Sequence, residues 1–106
     1  MNAIDTLTKI QQLENLYRGG YRSGTIDATI NKLLAIETAS AEKEVESLEQ
    51  RLQYFESYYS VGSDEFDRRF HLGELGDSAD MFEWSAYYRM WISARERLRL
   101  LKSIAG

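Results

Sequence analysis

Glu74, Asp77, Asp80 and Glu83 recur at every third residue, and carboxylates are the groups that hold hard cations or move protons. Four of them along one short stretch could ligate magnesium or calcium. The spacing is not that of an EF-hand loop, however, and no second acidic helix segment supplies the opposing ligands of a di-metal bundle. His71 is the single histidine and cysteine is absent, which removes a mixed zinc site and a thiol nucleophile. No Ser/His/Asp set lies in a recognisable context, and no glycine loop is built to cradle phosphate. The expectation is a chain without enzymatic activity, metal or cofactor, in which His71 is a solvated or capping residue.

A second chemistry is suggested by Arg89, Arg95, Arg97, Arg99 and Lys102 with Tyr87, Tyr88 and Trp91 interleaved, since bases stack on aromatics and phosphates pair with cations. The same residues fit a helix better. Trp84, Tyr88 and Trp91 fall at helical spacing, where bulky aromatics are ordinarily core, and the arginines flank them. Nucleic-acid binding is therefore not expected.

Charge is distributed unevenly. The net of -4 divides into six Lys/Arg against nine Asp/Glu in residues 1–60, two against seven in 61–86, and five against one in 87–106. An acidic segment of this kind suits a basic protein partner. Glu74, Asp77, Asp80 and Glu83 would meet its Lys and Arg, with Phe82 and Tyr87 as desolvated anchors. The plainer alternative is that acids at a helix start and bases at its end complement the helix dipole.

The elements that place these residues read as four helices. Ile4, Leu7, Ile10, Leu13, Leu16 and Tyr17 predict a helix over about 3–18 with one apolar face, stopped by Gly19-Gly20. From Thr25, read as N-cap, a helix runs to about residue 60. Leu34, Thr38, Ala41, Val45, Leu48, Leu52, Phe55 and Tyr59 alternate steps of four and three along it, an a/d seam of coiled-coil type. Ile26, Ile30, Leu33 and Ile36 widen its first part, so a second neighbour is needed there, for which the first helix is the candidate. After Val61-Gly62, a short helix over 63–71 is capped by Ser63 and turns Phe66 and Phe70 inward. Asp77 or Ser78 caps the last helix, about 78–104, whose seam reads Met81, Trp84, Tyr88, Trp91, Arg95, Leu98 and Lys102, with Phe82, Ser85, Ile92 and Leu101 widening its apolar face.

The predicted fold is all-α: a long antiparallel helical hairpin of coiled-coil type, with an N-terminal helix and a short helix at the hairpin tip. Residues 1–106 form one domain on this reading, and the long seam also predicts a homodimer. With no proline or cysteine, long unbroken helices are favoured and a cytoplasmic setting is the expectation. No apolar run reaches the roughly 18 residues needed to cross a bilayer, and the N-terminus lacks the character of a signal peptide.

Ser63-Asp64-Glu65-Phe66 through Phe70, then Gly73-Glu74-Leu75-Gly76-Asp77, Asp80, Phe82-Glu83-Trp84-Ser85 and Tyr88 together resemble a group of small helical proteins of archaea and cyanobacteria. Those proteins are encoded beside small RNase-like toxins and are regarded as antitoxins of type II toxin-antitoxin pairs. The similarity is strong in motif over about residues 62–91 and in pattern elsewhere; Ser78-Ala79-Asp80-Met81 departs from it where a second acid would follow Asp77. The resemblance implies an antitoxin that neutralises a small basic RNase-type toxin by covering its active surface. The alternative is a general coiled-coil assembly module whose acidic tip is only a solvated turn.

Overall fold

The computed structural model describes residues 2–105. Its order is α1 (Ala3–Arg18), α2 (Gly24–Tyr59), α3 (Ser63–His71) and α4 (Ala79–Ala105), with no strand among the described residues. None of these helices is long and apolar enough to cross a membrane. Packing divides the chain into two units, one ending at Lys32 and one beginning at Leu33.

Helix ends follow the side chains available to satisfy free backbone groups. The Asn2 side chain accepts from the Asp5 N–H at 3.0 Å and opens α1. At the other end, the Tyr21 N–H reaches the Leu16 carbonyl and the Gly20 N–H reaches that of Tyr17. Gly20 sits at φ 102 to allow this, a conformation that costs glycine nothing and other residues much. The same closure ends α3, where Gly73 at φ 76 lets the Glu74 N–H bond the Arg69 carbonyl at 3.1 Å. Two caps differ from those expected. Ser23, not Thr25, caps α2, its hydroxyl accepting from the Ile26 N–H at 3.2 Å. Ser63 is the first residue of α3 and Gly62 is its N-cap, because the Ser63 hydroxyl is engaged elsewhere, as described below. At the start of α4, Ser78 is the cap, accepting from the Met81 N–H.

In the first unit, α1 and the opening turns of α2 are tied at their connection. The Tyr17 hydroxyl donates to the Asp27 carboxylate at 2.7 Å and accepts from the Ser23 N–H at 3.2 Å, while the Arg22 guanidinium lies over the Tyr17 ring. None of the residues of α1 is buried, and beyond Leu13 its apolar side chains become steadily more exposed towards the N-terminus.

The second unit is the hairpin. Its polar and aromatic cross-links descend in step: Tyr59 with Asp80, Phe55 with Trp84, Arg51 with Tyr87, Glu44 with Arg97 and Glu42 with Lys102. As numbers fall along α2 they rise along α4, so the two run antiparallel. None of the eight α2 seam residues from Leu34 to Tyr59 is exposed. On α4 the inner row is Met81, Trp84, Tyr88, Trp91, Ala94, Leu98 and Leu101. Arg95 and Lys102 are not part of it. Ala94 and Leu101 take the inner positions, while Arg95 folds back over the Trp91 ring at 4.3 Å and Lys102 reaches Glu42 at the surface.

The core is aromatic where α3 docks. Phe66 is fully buried and stacks on Trp84 at 3.8 Å between ring centres, with planes 4° apart. Phe55 and Tyr59 stack on Trp84 at 5.5 and 5.6 Å. The indole N–H donates to the Ser63 hydroxyl at 2.9 Å, and the Ser63 N–H donates to Glu56 at 2.9 Å. A buried indole N–H left unpaired would be costly, so this bond fixes where α3 begins.

Candidate functional site

The stretch between α3 and α4 carries most of the acid. Leu72 and Gly73 form the turn, Gly76 at φ 78 redirects the chain, and Ala79 starts α4. Glu74 and Asp77 are thereby placed on the loop, while Asp80 and Glu83 lie on the first turns of α4. Glu74 is paired with Arg69 at 3.2 Å. Asp80 accepts from the Tyr59 hydroxyl at 2.6 Å. Asp77 and Glu83 are exposed, and no protein hydrogen bond or ion pair engages their side chains among the described residues. Among the same residues no three His, Cys, Asp or Glu side chains are grouped so as to hold a metal ion.

Of the two expected aromatic anchors, Phe82 projects with 57% of its surface exposed and meets Phe70 only edge-on, at 5.7 Å. Tyr87 is half-buried. It packs against Phe55, accepts from the Arg51 guanidinium at 2.8 Å and lies beneath it, which makes it a strut between α2 and α4.

His71 joins α3 to α4. Its Nδ1–H donates to the Asp67 carbonyl at 2.8 Å, leaving Nε2 to accept from Arg89 at 2.7 Å, and Arg89 also reaches the Asp67 carboxylate at 3.2 Å. The other cations of α4 are engaged as well: Arg95 with Trp91, Arg97 with Glu44, Arg99 with Glu96 and Lys102 with Glu42. These pairs are exposed, and each contributes little to stability.

Three exposed residues join the predicted set. Tyr54 and Tyr58, one turn apart on α2, stack at 6.4 Å and are both about two-thirds exposed, and Leu72 projects from the turn after α3. Tyr58 in turn meets the half-buried Tyr59 edge-on at 4.8 Å, so contacting rings run from Tyr54 to Tyr59, whose hydroxyl holds Asp80. The signal for the tyrosines lay in the seam itself: with Leu52, Phe55 and Tyr59 turned inward, residues 54 and 58 must face out. Compared with protein-family models, curated proteins and solved structures, the chain matches none.

The exposed residues at this end include broad apolar rings and carboxylates free to pair. Tyrosine and phenylalanine supply contact area with few rotors to freeze, and aromatic residues are enriched in the buried centres of protein interfaces. Asp77 and Glu83, in water until a partner arrives, keep their full capacity for Lys or Arg.

The Tyr59–Asp80 bond has a pH signature. The phenol donates to a carboxylate, and this bond first, then burial, pushes Tyr59 from 10.0 up to about 12. A pKa raised by folding means that the fold favours the protonated phenol. The bond's contribution to stability is complete below pH 10 and is lost as pH rises through about 12. The Tyr17 phenol is raised as well, first by its bond to Asp27, so phenolate absorbance should show late-titrating tyrosines among the seven, and Asp80→Asn should bring the Tyr59 component alone back towards the others. A wild-type titration with no late component contradicts the bond.

Proposed function

We propose that the chain is a non-catalytic binding protein of the cytoplasm whose acidic, aromatic tip covers a basic surface on another protein. Its partner, following the resemblance in residues 62–91, is a small RNase-type toxin, and the chain acts as the antitoxin. The observation that carries this reading is the pair of unengaged carboxylates, Asp77 and Glu83, in the same stretch as the projecting Phe82. The excess of five negative charges over residues 61–86, seven Asp/Glu minus two Lys/Arg, would speed encounter with a basic surface and suppress acidic competitors.

The test is co-purification with the product of the adjacent gene, followed by titration of the complex. Phe82→Ala should weaken it by about tenfold to a hundredfold, as loss of a desolvated anchor does. Asp77→Asn with Glu83→Gln should weaken it about tenfold at low salt and by less at high salt. If the adjacent product does not bind, or if all three substitutions leave the affinity unchanged, the reading is wrong. Glu74 and Asp80 already have protein partners, so neutralising them mixes binding with local structure.

A further inference from the structure

The first unit, considered apart from the acidic tip and independently of the reading above, has apolar surface that its own two helices do not cover. We propose that the open groove between α1 and the first turns of α2 seats the same helix pair of a second copy, the two pairs closing into a two-fold symmetric four-helix bundle.

The apolar residues of α1, Ile4, Leu7, Ile10, Leu13 and Leu16, follow one another by three. At about 100° per residue, each lies about 60° short of a full turn from the last, and the five spread over about 240° of the helix. A single neighbour covers a stripe of roughly 100°. Helix α1 therefore requires a second apolar neighbour, which is what a four-helix bundle supplies. The tie at Tyr17, Ser23 and Asp27 holds one end of the pair together; beside it Leu16 is 50% exposed and Leu13 37%, and from there the exposed fraction climbs to 57% at Ile10, 65% at Leu7 and 73% at Ile4. Ile26 and Ile30 form the opposite wall of a groove of about 630 Å³.

Area and charge select the occupant. Leu7, Ile10, Leu13 and Ile30, the last 45% exposed, present roughly 400 Å² of apolar-residue surface, the size of the largest patch on a typical soluble monomer, which is often a contact site. A standard interface covers about 800 Å² a side, roughly 60% of it apolar, so two such grooves supply close to what a stable dimer requires. Residues 1–32 carry four Lys/Arg and three Asp/Glu, whereas residues 33–106 carry nine and fourteen. Two copies of the near-neutral unit meet without the repulsion that two acidic hairpins would suffer, and the face offers no single sign of charge for a strongly charged stranger to read. The α2–α4 seam is not available for the same purpose, since its residues are already covered within the chain.

Sedimentation and light scattering of the full chain test this directly. Wild type should have twice the chain mass at micromolar concentration, and Ile10→Glu should raise the dimer dissociation constant at least a hundredfold while circular dichroism stays helical. Because the chain has no cysteine, Leu7→Cys gives a clean reporter that does not depend on disrupting the groove. A bifunctional thiol reagent long enough to span a four-helix bundle should join its copies, whereas Met90→Cys on α4 should not be joined. A wild-type monomer at 100 μM or above, or a dimer that cross-links through Met90→Cys and not Leu7→Cys, would overturn the proposal.

Discussion

Replacing Trp84 with alanine should cost about 3–5 kcal/mol of folding stability, the range for truncating a fully buried large aromatic. The side chain is 1% exposed and lies against Phe66, Phe55 and Tyr59. Those three rings come from α3 and α2, so one truncation loosens every element that meets at the tip. Ser63 would lose the one side-chain donor it has among the described residues, leaving a buried hydroxyl unpaired. Urea denaturation followed by far-ultraviolet circular dichroism measures the change, and a loss below about 1 kcal/mol would mean that the stack is not central. Trp84→Phe separates the two contributions: it keeps much of the ring contact and removes the indole N–H, for an expected cost of about 1–2 kcal/mol.

Phe66→Ala should have a cost of similar size but a different distribution. Phe66 is fully buried, and its rings of contact are Trp84 and Phe70. Helix α3 runs only from Ser63 to His71, too short to persist alone in water, so its stability comes from docking. Removing the phenyl ring should release α3 while Leu48 and Leu52 of α2 stay packed on α4. Amide exchange over Ser63–His71 should accelerate by roughly a hundredfold to a thousandfold or more, the equivalent of 3–5 kcal/mol at about 1.4 kcal/mol per decade. An equal acceleration along α2 and α4 would show instead that α3 does not open as a separate unit.

What the sequence made legible was whatever repeats. The α2 seam from Leu34 to Tyr59 could be read residue by residue because a period of three and four is a local property. The α4 seam drifted in its second half, where Arg95 and Lys102 kept the spacing but Ala94, and Leu101 from the flank of the expected apolar face, kept the burial. A long cation at such a position can curl out to an aromatic or an acid, and nothing in the period reports this. Capping was misread for a related reason. Ser63 has the right chemistry for a cap, but a tryptophan brought in from 21 residues away takes its hydroxyl. The candidate site divides along the same line: Asp77 and Glu83 are exposed as their neighbours in sequence suggest, Phe82 projects although the spacing also put it on the apolar face of α4, and the engagement of Asp80 by Tyr59 and of Tyr87 by Arg51 depends on the hairpin being closed.

The aromatic end of the hairpin also decides how the two long helices are aligned. The cross-links there join residues 21 apart, against 36 for Arg51–Tyr87 and 53 for Glu44–Arg97. Closing the longest of these loops costs about 0.8 kcal/mol more chain entropy than closing the shortest. The cheapest closure thus coincides with the largest and most shape-specific contacts. Aliphatic and alanine layers further down the seam would tolerate a slip by one heptad, since each such layer resembles the next. A slip would pull Trp84 off both Phe66 and its hydroxyl acceptor, so the tip is a pin that sets the register of the whole hairpin.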